Sequence, residues 1–109
     1  GNADGTFVYT GFKPAWVMVK QSNAAGEGWL MRDNKINPYN VASIHLRADT
    51  SSAEANAAAN QIDILSNGFK IRGSDTSING SGATYIYWAF AENPFVTSTD
   101  NGSIPATAR

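Results

Sequence analysis

The chain has 109 residues, with eight basic and nine acidic side chains for a net charge of −1, and no cysteine. That is one domain's worth of polypeptide, long enough to bury a core of its own. The charge balance leaves no basic patch to neutralise phosphates, so nucleic acid and anionic membranes are disfavoured as partners. The missing thiols exclude disulfides, thiolate catalysis and cysteine-ligated zinc.

In chain order, short runs of aromatic and β-branched residues bounded by Gly, Asn, Asp, Ser or Pro predict strands over residues 6–10, 15–21, 28–32, 43–47, 61–65, 69–72 and 84–92. The spacing implies an all-β fold, an antiparallel β-sandwich of the jelly-roll or lectin-like kind with about seven to eight strands. Within the strand at 15–21, Trp16 alternates with Met18, and Trp29 alternates with Met31 in the next, as residues facing a core do. In the strand at 43–47 the same alternation predicts Ile44 and Leu46 inward, with His45 and Arg47 outward. Residues 52–60 are alanine-rich and predict a loop with a helical turn. The runs on either side of Ser66-Asn67-Gly68 predict a hairpin with Asn67-Gly68 in a type I′ turn, Phe69 and Ile71 on one face, and Lys70 and Arg72 on the other. Residues 33–40 and 73–82 read as loops. The segment Tyr85-Ile86-Tyr87-Trp88-Ala89-Phe90-Ala91 is apolar on both faces and predicts a central strand with a second cover. Tyr85, Tyr87, Trp88 and Phe90 are its candidate interface residues. The domain is expected to span residues 1–96, with 97–109 an extended tail.

Candidate chemistry is sparse. The single histidine, His45, lies in a strand without a readable nucleophile or carboxylate beside it, so a Ser-His-Asp arrangement is not expected. Paired carboxylates could hydrolyse glycosides, but only Asp63 and Glu92 fall within predicted strands, and they form no readable pair. No enzyme is expected. No cofactor is called for; calcium is the ion whose oxygen ligands the loops at Asp33-Asn34 and Ser74-Asp75 with Asn79 could offer, although both also read as Asx turns. Asn79-Gly80-Ser81-Gly82 precedes a strand and carries no lysine, so it reads as a turn and not a phosphate cradle.

Three segments carry a resemblance. Gly11-Phe12, Pro14, Val17 and Lys20 come first; Asn67-Gly68-Phe69 and Ile71 follow; Asn79, Ser81-Gly82, Thr84-Tyr85-Ile86 and Ala89-Phe90-Ala91-Glu92 close the series. In that order they resemble a domain of uncharacterised function recurrent in marine and cyanobacterial tailed phages, at the C-terminal end of tail-fibre-like and other virion structural proteins. The resemblance runs over residues 5–109. It implies a virion module in a tail fibre, spike or capsid-surface protein, assembled in the host cytoplasm and displayed on the particle for assembly or host-surface attachment. Its expected partners are further copies of itself, as a trimer, or neighbouring virion proteins, and a host-surface glycan. It assigns no catalytic or binding residue. The competing reading, from the aromatic content, is a carbohydrate-binding module of a secreted bacterial protein.

Overall fold

The computed structural model describes residues 4–92. Eight strands form two antiparallel sheets. They are β1 (Phe7–Tyr9), β2 (Pro14–Gln21), β3 (Leu30–Asp33), β4 (Ile44–Arg47), β5 (Ala55–Asn56), β6 (Ile62–Leu65), β7 (Gly68–Ile71) and β8 (Tyr85–Ala91). The small sheet runs β1-β7-β6 and the large one β5-β4-β3-β2-β8. All seven predicted strands are present and the fold is a β-sandwich. The two-residue β5 was not anticipated; it and a 3₁₀ turn at Ala58–Asn60 occupy the alanine-rich stretch. The loop at 73–82 contains one turn of helix, α1 (Thr76–Asn79), whose N-cap Asp75 accepts from Ser77 N–H at 2.8 Å. The segment 97–109 lies outside the described residues.

The core lies between the sheets. Val17, Val19 and Leu30 of the large sheet meet Ile62, Ile64, Phe69 and Ile71 of the small one, and Ile78 of α1 and Ala42 close the ends. Removing a side chain such as Phe69 or Leu30 from water contributes roughly 2 kcal/mol each. The predicted alternation of β7 holds: Phe69 and Ile71 are buried and Lys70 points away from the core. Asn40 splices the loop before β4 to the small sheet. Its amide nitrogen donates to the Ile64 carbonyl and its oxygen accepts from Ile64 N–H, both at 2.8 Å, imitating a strand partner.

The β6–β7 hairpin is present, but its turn differs from the expectation. Leu65 pairs with Gly68, so Ser66 and Asn67 form the loop, and neither Asn67 nor Gly68 has a positive φ. Gly68 is needed for another reason. A Cβ there would lie 2.0 Å from the Val8 carbonyl oxygen, because β1 pairs with β7 in the same sheet and sets Tyr9 opposite Gly68.

Three further expectations are corrected. β8 is not central: among the described residues it pairs only with β2 and forms the edge of the large sheet. Its two-sided apolarity arises because its inner face packs on the core while its outer face belongs to an apolar sheet surface. β4 is turned over: His45 is 2% exposed and faces inward, whereas Ile44 and Leu46 face outward. Trp16, Met18 and Met31 likewise lie on the side of the large sheet away from the core. Alternation separates two faces but carries no label for the inner one, and here both faces are largely apolar.

Candidate functional site

The register of the large sheet assembles its outer face row by row. Trp16 stands opposite Phe90, Met18 opposite Trp88 and Lys20 opposite Ile86 across β2–β8; Met18 also faces Met31 on β3, and Met31 faces Leu46 on β4. Trp16 and Phe90 pack with ring centroids 5.5 Å apart. Trp29, just before β3, stacks on Trp88 at 5.7 Å with 15° between ring planes. The result is an aromatic and thioether surface with no sheet or helix over it among the described residues. Phe90 remains 57% exposed and Ile86 45%. Charge appears at one end, where Lys35 and Glu92 pair at 2.8 Å; each raises or lowers the other's pKa toward the charged form, chiefly through that hydrogen bond. Contiguous apolar surface of this kind on a folded domain marks a place where something else binds.

The four candidate interface residues divide between two faces. Trp88 and Phe90 belong to the outer face. Tyr85 and Tyr87 point inward, Tyr87 meeting Phe69 edge to face with centroids 5.5 Å apart. The Tyr85 hydroxyl donates to the Thr76 carbonyl at 2.6 Å and accepts from Gly80 N–H at 2.5 Å, fastening α1 to β8. Beside them a cleft of about 370 Å³ opens between the sheets, lined by Val8, Val19, Phe69, Ile78, Tyr85 and Tyr87 among others, with no charged side chain on its wall. Tyr87 is still 44% exposed, so β8 presents apolar surface on both faces even though its inner face touches the core.

A polar cluster occupies the inner face of β3 and β4. Arg32, His45 and Asn60 are all buried. Arg32 donates from its guanidinium to the Asn60 carbonyl, while its Nε has no partner. Burial pulls the Arg32 pKa down to about 10. Burial also lowers the His45 pKa, and the Arg32 charge lowers it further, so His45 is neutral at physiological pH. Sequence alternation missed this cluster because it put His45 outside. The only advance signal was the polar His45 and Arg47 in a strand whose other residues are apolar.

Most of the remaining sequence candidates have structural partners, although Asn34 Oδ1 and Asp63 Oδ1 are buried without a hydrogen-bond partner. Asp33 Oδ1 accepts from the N–H groups of Lys35 and Ile36, both at 2.8 Å, as an Asx turn does. Asp75 caps α1, Asn79 donates to the Gly73 carbonyl, and Asp63 lies 3.7 Å from Arg72. Among the described residues no three His, Cys, Asp or Glu side chains gather as metal ligands, and no helix is long and apolar enough to cross a membrane. What the arrangement presents is a broad apolar face, flat aromatic rings and a strand edge that no other strand takes up among the described residues.

No curated protein and no solved structure matches the chain. Residues 1–94 match a family model, and the chain therefore belongs to the family described as a domain of unknown function, DUF7483.

Proposed function

We propose that the domain is a non-catalytic interaction module, built into a larger particle by its outer sheet face and by β8. The observation that carries this reading is the apolar row of Trp16, Met18, Met31, Trp88 and Phe90 on the side of the sandwich away from the core. A domain of this size cannot bury both faces of a five-stranded sheet with a three-stranded partner, and the uncovered face is suited to another surface. The resemblance to tailed-phage structural proteins supplies the setting: a tail fibre, spike or capsid-surface protein, with a role in assembly or host attachment. A stacked Trp pair beside an exposed Phe favours one second reading, recognition of a glycan by ring stacking on the same face.

Exchanging Met18 and Phe90 for Ser separates these roles from a structural one. Both side chains lie off the core, so the doubly substituted domain should keep its fold. Self-association, measured by sedimentation, should weaken at least tenfold. If instead the parent stays monomeric at millimolar concentration and its Trp fluorescence does not respond to oligosaccharides, the face is not an interaction surface. A fluorescence change with sugar in a monomer would favour the glycan reading.

A further inference from the structure

We propose that two copies of the chain pair through the free edge of β8, antiparallel, about a two-fold axis passing through Trp88. This rests on the reading of β8 as part of an interaction face and adds the partner and the register.

The hydrogen-bond phase of β8 is set by its neighbour. Ser22 N–H donates to the Thr84 carbonyl at 2.8 Å. Alternation along an antiparallel ladder then gives the main-chain groups of Ile86, Trp88 and Phe90 to β2. Those of Tyr85, Tyr87, Ala89 and Ala91 point to the open edge. The same phase follows on the far side of β2, where Asn34 N–H donates to the Ala15 carbonyl at 2.9 Å. Among the described residues no strand takes up the open groups of β8. Free edges in monomers are normally guarded by proline, inward charge or a bulge; between Tyr85 and Ala91 there is no proline and no charge, and the irregularity in the β2–β8 ladder lies at Pro14/Trp16, on the β2 side.

The strand is also complementary to itself. A two-fold axis at Trp88 pairs Tyr87 with Ala89 and Tyr85 with Ala91 of the second copy, large against small on the inner face. These are the residues whose N–H and C=O groups are open, so every one of them is used, for on the order of eight inter-strand hydrogen bonds. On the outer face Trp88 meets its own copy and Ile86 meets Phe90, an aromatic–β-branched pair of the kind that stabilises sheets. Glu92 falls opposite Thr84 and away from the other carboxylate. Moving the axis to Tyr87 or Ala89 strands an end residue, and the first choice sets Tyr87 against Tyr87. The pairing joins the outer aromatic faces of both copies into one surface and closes a dimer, in place of the trimer that a fibre setting suggests.

The intact chain should sediment at twice its 11.6 kDa mass. Ala89→Pro deletes an N–H that only the edge pairing uses, and should give a monomer with an unchanged circular dichroism spectrum. Because the chain has no cysteine, single-cysteine variants report the register without depending on that substitution. At a non-hydrogen-bonded pair the two Cα atoms are about 4.5 Å apart, within disulfide range. Trp88→Cys should therefore cross-link on mild oxidation at least tenfold faster than Phe90→Cys, whose two copies would be roughly 13 Å apart along the strands. Oligomers in which both cysteines react alike overturn edge pairing while leaving association through the outer face standing. A monomer with slowly exchanging Tyr87 and Ala89 amides overturns the proposal by showing the edge covered by the chain's own residues. A monomer with rapidly exchanging amides at those positions overturns it too, and an outer face that then binds no partner overturns the wider reading as well.

Discussion

Replacing Arg32 with Met should stabilise the domain. Arg32 sits on the inner face of β3 at 2% exposure, has no carboxylate partner among the described residues, and leaves its Nε unpaired. Burial alone pulls its pKa from the ordinary guanidinium value down to about 10. At about 1.4 kcal/mol for each pKa unit, that fall corresponds to roughly 3 kcal/mol of unfavourable desolvation. Met matches the alkyl stem in length and keeps its packing. What is lost is the hydrogen bond to the Asn60 carbonyl, about 1.5–3 kcal/mol for a charged donor. The balance is a gain of up to about 1.5 kcal/mol, or up to roughly 8 °C in Tm for a domain of this size. Urea unfolding followed by far-ultraviolet circular dichroism, at pH 8, reads it directly, and the m value should not change. A loss of stability beyond ~1 kcal/mol would refute the reasoning and would mean that Arg32 is held by interactions stronger than one hydrogen bond.

The His45 pKa is lowered in the fold, first by burial and then by Arg32, so the unfolded chain takes up a proton below about pH 6.5 that the folded one refuses. Stability should therefore fall as pH drops from 6.5 toward the folded pKa, with Arg32, Arg47 and Asp75 the charged groups facing the ring; thermal melts of the parent between pH 7.5 and 5 should show this and those of His45→Gln should not. Gly68→Ala forces a Cβ against the Val8 carbonyl and should cost about 3 kcal/mol in denaturant unfolding. Asn40→Ala removes both hydrogen bonds to Ile64 and should cost about 1–3 kcal/mol. Asn40→Asp should not restore it, since a carboxylate cannot donate to the Ile64 carbonyl, and a fully stable Asp variant would contradict this.

Strand positions were legible because each of the seven segments is short, apolar and bounded by turn formers. Orientation was not. In β7 the contrast of Phe69 and Ile71 with Lys70 identified the buried face. In β4 the same logic pointed the wrong way, because the apolar Ile44 and Leu46 join an outer apolar face and the polar His45 joins a buried polar cluster. For β8, an apolar sequence on both faces describes a central strand and an interface edge equally well; only the pairing partner distinguishes them. The Gly68 requirement was legible as a glycine at a hairpin, but its cause is the close pairing of β1, about sixty residues earlier in the chain, which no local pattern encodes. The outer aromatic row was visible as residues and invisible as a surface.

The pairing of β2 with β8 joins segments from opposite ends of the fold, and it shapes how the chain is made. During synthesis β2 and β3 emerge early as a hairpin that is greasy on both sides, while the strand that completes their sheet is still inside the ribosome. The sandwich cannot close until Ala91 is clear, so the nascent chain holds the core-facing Val17, Val19 and Leu30 open to water, or to a chaperone, while the rest of the domain is made. Such long-range strand pairing also places the domain among slow folders. Expression yield should therefore respond more to slower synthesis, lower temperature or added holding chaperones than to changes in the stability of the finished domain.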